Sequence, residues 1–237
     1  LIGMGRQTIA DPSWPHKVKI GQIQEIRQCI SCNIGCAGHR IGLNRPIRCT
    51  VNPDVFYDDA YKKLKVNKPT NVVVIGGGTA GLEAACTASE VGCTTFLIEK
   101  EKELGGLARQ ISQIPEKYRV AHFPKYLEQR AEKLHDLFIL KGVEATSEFV
   151  DNFKPDIIVV ATGSKPLLPP IQGLKENIDL ENNKVSSIDK FMNHLELYPQ
   201  DATNKEIVIV GGGAVGLDVA EYFANRGASP TIIEMMD

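Results

Sequence analysis

The sequence lacks a strong charge of either sign: 27 Lys and Arg stand against 29 Asp and Glu, a net charge of −2. Bulk charge therefore gives no reason to expect a nucleic-acid or membrane partner. Long apolar runs are also missing, and none reaches the roughly 18 residues that a membrane span requires. No signal-peptide pattern opens the chain, whose first residue is Leu1 rather than Met. The start reads like the middle of a folded unit, and the end falls just after an expected strand. The expectation is a fragment of a longer chain, cytoplasmic by default. The remaining composition, 43% hydrophobic and 24% charged over 237 residues, is that of a soluble globular protein with one large or two modest domains.

Cysteine is scarce but clustered. Of six, Cys29, Cys32, Cys36 and Cys49 fall within 21 residues, in the pattern C-x2-C-x3-C-x12-C. Without a secretory signal, such a cluster points to a metal rather than to disulfides. The surrounding Gly, Asn, Pro and Arg show no apolar periodicity, so residues 29–53 are expected to be a loop ordered by what it binds. Four thiolates among small residues (Gly35, Ala37, Gly38) suit a [4Fe–4S] cluster. A structural zinc is the rival, since four cysteines also make a tetrahedral site, and free thiols are a third reading; zinc ribbons more often carry two C-x-x-C knuckles, and only one is present. His39 is expected to face solvent, and Cys86 and Cys93 to be small buried hydrophobes.

Two strand–turn–helix signatures dominate the rest. The β-branched run Val72–Ile75 has the look of a strand buried on both faces of a parallel sheet. It leads into Gly76-Gly77-Gly78-Thr79-Ala80-Gly81, a helix to about Val91, and a strand from Thr94 to Ile98 that ends at Glu99. The pattern returns with a strand from Ile207 to Val210, Gly211-Gly212-Gly213-Ala214-Val215-Gly216, a helix to about Asn225, and a strand from Thr231 to Ile233 that ends at Glu234. The two units begin 135 residues apart, an internal duplication rather than a solenoid repeat. In each, the first glycine permits the tight turn, the second lets the backbone approach a pyrophosphate, and the third lets the helix pack closely. The anion would sit on the N–H groups and positive dipole end of the helix. Glu99 and Glu234 each lie 18 residues past the last glycine of their turn and can accept hydrogen bonds from a ribose 2′-OH. Glu234 would repel a 2′-phosphate, which favours NAD(H) over NADP(H) at the second turn. Gly105 and Gly106, next to Leu107, offer a further backbone approach to the first pyrophosphate or a simple turn.

Between these units, an amphipathic helix is expected from about Phe123 to Leu140, with Tyr126, Leu127, Leu134, Leu137 and Phe138 as its stripe and Gly142 as its stop. A second buried strand is expected from Asp156 to Ala161, followed by Thr162-Gly163 and a junction in Pro166–Pro170. Residues 54–70, with Lys62, Lys63, Lys65 and Lys68, read as a solvated linker. The fold class is α/β, with doubly wound Rossmann-like units behind a cysteine loop. The absence of a redox cysteine pair after the second strand argues against a disulfide reductase.

This order of features resembles the 2,4-dienoyl-CoA reductase, enoate reductase and trimethylamine dehydrogenase family of NADH:flavin oxidoreductases. The resemblance rests on Gly5-Arg6 with Ala10-Asp11-Pro12, the Cys29–Cys49 pattern with Val51-Asn52-Pro53, and the paired turns separated by Ala161-Thr162-Gly163. It implies the end of an FMN-binding barrel at residues 1–20, where Gly5 and Arg6 would meet the FMN phosphate. A cluster segment and linker would follow at 21–68, the first part of an FAD domain at 69–165, and the start of an NAD(H) domain at 166–237. FAD would contact Gly76, Gly78, Thr79, Ala80, Gly81, Glu99, Lys100, Gly106, Leu107, Ala161, Thr162 and Gly163; NAD would contact Gly211, Gly213, Ala214, Val215, Gly216 and Glu234. The implied reaction carries electrons from NADH through FAD and the cluster to FMN and an enoate-type or related small molecule. The family's substrate residues lie in the barrel, so no catalytic residue is named here. The trimethylamine dehydrogenase branch holds ADP in the first site, which is the alternative; a zinc-stapled nucleotide-binding module without redox activity is a third. The family is compatible with homo-oligomers.

Overall fold

The computed structural model describes residues 3–55, 64–178 and 184–236. They group into two compact units, one ending at Ser112 and resuming at Tyr118–Ser164, the other Gln113–Lys117 with the chain from Lys165 onward. Of the lysine-rich linker, Lys62 and Lys63 lie outside the described residues, while Lys65 and Lys68 are exposed.

The first unit opens with two short helices, α1 (Arg6–Ala10) and α2 (Trp14–Lys19), and a π-helical turn, Ile34–Gly42, inside the cysteine segment. That turn corrects the expectation of an irregular loop. Asn33, at φ 57°, starts it, and its carbonyl accepts from the Gly38 N–H at 2.7 Å. A ladder of wide backbone turns, not an apolar stripe, gives the segment its shape.

A parallel sheet follows, built from β1 (Asn71–Ile75), β2 (Thr94–Glu99), β3 (Leu137–Lys141) and β4 (Ile157–Val160) in the spatial order β3-β2-β1-β4. Its register pairs Val72 with Thr95 and with Ile157, and Thr95 with Leu137. Successive side chains alternate between faces. Val72, Val74 and Leu97 pack against Leu82, Ala85 and Cys86 of α3 (Thr79–Glu90) and Leu127 and Ala131 of α5 (His122–Ala131). On the opposite face Val73 and Ile98 pack against Val150 of α6 (Ser147–Asp151), with Phe149 and Phe153 beside them. Cys86 and Cys93 are buried in the first of these layers. Each fully buried aliphatic side chain contributes roughly 1.5–3 kcal/mol.

Two expectations need correction. The long helix ends at Ala131, and Leu137–Lys141 forms β3 instead. Phe123, Tyr126, Leu127 and Ala131 keep helical spacing, but Leu137-Phe138-Ile139-Leu140 is a continuous apolar run, which periodicity alone cannot assign. The free edge of β2 takes it up as a strand, and Gly142, at φ 72°, closes the strand rather than a helix. The strand before Ala161 forms, but it is not buried: Ile157, Ile158 and Val160 are exposed along the sheet edge, paired to β1 among the described residues.

The second unit holds α7 (Leu174–Asn177), α8 (Ile188–Asn193), β5 (Val208–Val210), α9 (Ala214–Ala224) and β6 (Thr231–Ile233). β5 and β6 pair in parallel, Val208 with Thr231. Phe191, Tyr198, Tyr222 and Phe223 pack ring against ring, with the Arg226 guanidinium over Tyr222 at 3.5 Å. Among the described residues, no helix is long and apolar enough to cross a membrane.

Candidate cofactor sites

The first turn is shaped by close approaches that only hydrogen at Cα permits. Gly76 has φ 104°, and a Cβ there would lie 2.4 Å from the Ala161 carbonyl oxygen. A Cβ on Gly81 would lie 1.8 Å from the Gly76 oxygen, so the start of α3 sits directly against the turn. Gly78 behaves in the opposite way: its φ is −71°, and an added Cβ would meet nothing within 4 Å. It borders open space at the start of α3, whose first-turn N–H groups have no side-chain cap. A diphosphate needs such a place. The Gly105 N–H donates to the Gly77 carbonyl at 2.8 Å, and Gly106 lies against Gly78, so the second glycine pair forms the far wall of the same cradle.

Gly77 escaped the sequence reading, as did its counterpart Gly212. The Gly77 N–H donates to Glu99 Oε2 at 2.5 Å, and the Gly212 N–H to Glu234 Oε2 at 2.6 Å. A Cβ at either position would press on the glutamate. Each is the middle glycine of its run, and no periodic signal sets it apart. Glu99 is buried, and its other oxygen accepts from the Glu101 N–H at 2.8 Å. Glu234 is exposed and also accepts from the N–H groups of Met235 and Met236. Those three backbone donors hold its carboxyl below the usual range. A carboxylate has about four lone-pair sites, so both glutamates keep capacity for a hydroxyl donor.

The remaining first-turn residues gather less tightly. The Ala161 N–H donates to the Ile75 carbonyl at 2.8 Å, which carries Ala161, Thr162 and Gly163 past the turn. Thr79 and Ala80 form the first turn of α3. Leu107 is half exposed in α4 (Gly106–Ile111), and Lys100 is exposed, 3.8 Å from Glu101. In the second turn, Gly211 has φ 109° and a Cβ on Gly216 would lie 1.9 Å from the Gly211 oxygen. Gly213 borders open space, like Gly78, and Ala214 and Val215 begin α9.

Cys29, Cys32, Cys36 and Cys49 line one small cavity together with Arg6, Asn33, Gly35 and Thr50. Among the described residues, no cysteine is joined in a disulfide. Ser31, Asn33 and Asn44 all hold left-handed backbone in this segment. Such conformations cost roughly 1–3 kcal/mol each and persist where the surroundings over-determine them, often at functional sites. Gly35 lets the returning segment close in: its carbonyl accepts from the Arg48 N–H at 2.7 Å, and a Cβ would strike the Arg48 carbonyl. The sulfurs have polar company. The Ser31 N–H donates to Cys29 Sγ at 3.4 Å, and Cys32 Sγ and Thr50 Oγ1 are 3.1 Å apart. Burial pushes the Cys49 thiol up, against the N–H groups of Val51 and Asn52, and the nearby Cys29 and Cys32 push it further. Mutual repulsion of this kind is what a bound cation or cationic cluster relieves. Among the described residues, no three His, Cys, Asp or Glu side chains stand close enough to share one metal ion. His39 is half-buried rather than solvent-facing, its Nδ1 buried without a partner among the described residues.

Arg6 donates from Nη1 to Asn33 Oδ1 at 2.5 Å, which brings it to the cysteine cavity; Gly5, the N-cap of α1, is exposed. Behind them, Asp11 and Asn52 form a buried hub. Asp11 accepts from Lys17 Nζ at 2.7 Å and from the Arg27 N–H at 2.9 Å, and Asn52 accepts from Arg27 Nη1 and donates to the Ile9 carbonyl. Gln7 accepts from the Cys29 N–H at 2.9 Å, tying α1 to the first cysteine. Burial pushes the Asp11 carboxyl up, but Lys17 and the N–H groups of Arg27 and Ser13 outweigh it and hold it below 3.8.

Two family descriptions match the chain, FAD dependent oxidoreductase over residues 71–144 and Pyridine nucleotide-disulphide oxidoreductase over residues 125–237. NADH oxidase of Thermoanaerobacter brockii is 40% identical, covering 100% of this chain and 35% of that protein. A solved complex of 2-naphthoyl-CoA reductase with 2-naphthoyl-CoA superposes with a TM-score of 0.82 at 30% identity, over 97% of this chain and 33% of that one. The chain belongs to the 2,4-dienoyl-CoA reductase and trimethylamine dehydrogenase family of flavin oxidoreductases. Histamine dehydrogenase from Rhizobium sp. 4-9 superposes with a TM-score of 0.81 at 25% identity, over 99% of this chain and 35% of that one. The chain thus spans about a third of the length of these family members.

Proposed function

We propose that this chain is the electron-input segment of an NADH-dependent flavin oxidoreductase. Cys29, Cys32, Cys36 and Cys49 would hold a [4Fe–4S] cluster. The first turn, with Glu99, Lys100, Gly106, Leu107 and residues 161–163, would hold FAD, and the second turn, with Glu234, NAD(H). Gly5 and Arg6 would meet the phosphate of an FMN carried by the rest of the protein. One observation carries the reading: the four cysteines of a single sequence pattern line one cavity, in the same compact unit as an open diphosphate cradle.

The donor set fits a cluster better than a zinc ion. Four thiolates 2.3 Å from one zinc stand about 3.8 Å apart, whereas a cubane holds its ligands farther out. The four cysteines line one cavity together, which supports that reading. Amide and hydroxyl contacts to sulfur support it as well. Arg6 at the cavity supports a short separation between the cysteines and the FMN phosphate.

Bound in these places, the nicotinamide and FAD would supply hydride chemistry, and the cluster single-electron transfer toward FMN. The chain's own residues position and select. Gly76 and Gly81 hold the turn against α3, Glu99 fixes the Gly77 N–H, and Glu234 presents a carboxylate where a 2′-phosphate would sit. The substrate would be a small molecule with a C=C bond conjugated to a carboxyl or acyl thioester, as the name of the 2-naphthoyl-CoA reductase relative suggests. No nucleic-acid or membrane partner is proposed, and the location is cytoplasmic.

The likeness to histamine dehydrogenase favours a second reading, in which the first turn holds a structural ADP and electrons leave to another protein. Nucleotide release separates the two. Anaerobically purified holoprotein is denatured and its FAD, FMN and ADP are quantified. FAD and FMN near one per chain support the first reading; ADP with no FAD overturns it.

A further inference from the structure

Ser31 lies between the first two cysteines and holds left-handed backbone at φ 59°. Its N–H donates to Cys29 Sγ at 3.4 Å. Its hydroxyl accepts from Nη1 of Arg119 at 2.8 Å, from 88 residues farther along the chain. Arg119 is itself tethered: its Nε donates to the Tyr118 hydroxyl at 3.0 Å, and its guanidinium lies over the Tyr118 ring, 5.6 Å from the centroid. Both residues belong to the 3-10 turn Pro115–Ala121, between α4 and α5, so the arginine reaches the cysteines from outside their own segment. A serine in this conformation is strained, and its amide keeps its aim at the sulfur only if something holds it there.

We propose that Arg119 is a positioning residue for the cysteine cage, pinning Ser31 so that its N–H stays directed at Cys29 and adding a positive charge beside the cage, which raises the reduction potential of the cluster held there. This rests on the reading that the four cysteines hold a [4Fe–4S] cluster. Reduction adds one electron, hence one negative charge, to the cage. An N–H donor on a ligand sulfur and a nearby guanidinium stabilise that added charge more than they stabilise the oxidised form, and the potential of such clusters follows net charge, hydrogen bonds to sulfur and exposure. The side chain of Arg119 is exposed, so salt screens its charge contribution and leaves the hydrogen-bond contribution.

The test is a redox titration of the anaerobically purified holoprotein, with dithionite as reductant and EPR as the readout, for wild type, Arg119→Gln, Ser31→Ala and the double variant. The expected result for Arg119→Gln is a shift of about tenfold toward the oxidised cluster, about 59 mV lower for a one-electron couple. Ser31→Ala lowers the midpoint by less, and the double variant falls no further than Arg119→Gln. Added salt reduces the Arg119→Gln shift without abolishing it. A purely structural arginine would alter iron content or thermal stability and leave the midpoint in place; unchanged midpoints with full iron content overturn the proposal. If Arg119→Gln fails to retain iron, Ser31→Ala decides: a lowered midpoint supports the proposal and an unchanged one overturns it. Wild-type protein without acid-labile sulfide overturns the cluster reading itself, and with it the role given to Arg119.

Discussion

Gly78 and Gly81 stand three residues apart in one turn, and a methyl group has opposite consequences at the two positions. At Gly81 the added Cβ lies 1.8 Å from a backbone oxygen, where an ordinary contact is about 3.4 Å. The turn or the helix must move by about 1.5 Å. Overpacking of that kind costs roughly 1–3 kcal/mol or more, and it also displaces the N–H groups that would meet a diphosphate. At Gly78 the Cβ meets nothing, and the backbone is one that any residue adopts. Gly→Ala at a compatible site stabilises by about 0.4–1 kcal/mol through the unfolded chain. Nucleotide-stripped Gly78→Ala should therefore melt within a few degrees of wild type or slightly above it. Its methyl nevertheless fills the space a pyrophosphate would use. Losing one or two charge-assisted hydrogen bonds, about 1.5–3 kcal/mol each, lowers affinity for FAD by at least tenfold. The assay pairs calorimetric melting of the stripped protein with FAD titration by fluorescence. Gly78→Ala binding FAD as tightly as wild type would refute the cradle; a loss of stability as large as that of Gly81→Ala would refute the account of the turn.

Three further outcomes follow from named contacts. Arg130 joins α3 to α5 through Glu83 at 2.9 Å and both oxygens of Glu90, and these carboxylates hold its charge more firmly than burial opposes it. Arg130→Ala removes the guanidinium that these two half-buried carboxylates share and should cost about 2–4 kcal/mol in chemical denaturation. The depressed Asp11 carboxyl contributes stability above its unfolded value of 3.8, and that contribution is lost as pH falls through its lower folded value. Asp11→Asn should thus destabilise the protein at neutral pH and flatten the acid limb of its stability curve below about pH 4; an acid limb as steep as wild type would show that Asp11 is not responsible. Glu234→Arg should shift preference toward NADPH over NADH in steady-state kinetics, and an unchanged ratio would mean that this carboxylate serves only the turn it now binds.

The local part of this structure was legible in the sequence, and the non-local part was not. The β1–α3–β2 unit announced itself because a buried strand, a glycine turn and a helix each leave a short-range mark within thirty residues. Glu99 and Glu234 could be named from spacing, yet their bonds to Gly77 and Gly212 could not, because the middle glycine of each run carries no separate periodic signal. β3 was misread as helix because four consecutive apolar residues satisfy either period, and the vacant edge of β2 decides between them. The same limit hid the Asp11–Lys17–Arg27–Asn52 hub and the Arg119–Ser31 contact. In both, polar groups far apart in sequence meet around the cysteine segment, and nothing in their local pattern marks them. Composition did foretell that the cysteine loop would lack an apolar core, but not that wide π-type turns and left-handed residues would shape it.

Four thiolates lining one cavity, in the same compact unit as an open diphosphate cradle, are proposed to hold an iron–sulfur cluster. Metal and sulfide analysis of the anaerobically purified holoprotein tests it most directly. The account predicts about four irons and four acid-labile sulfides per chain, lost together when Cys49 is replaced by Ala. One zinc per chain with no labile sulfide would contradict it.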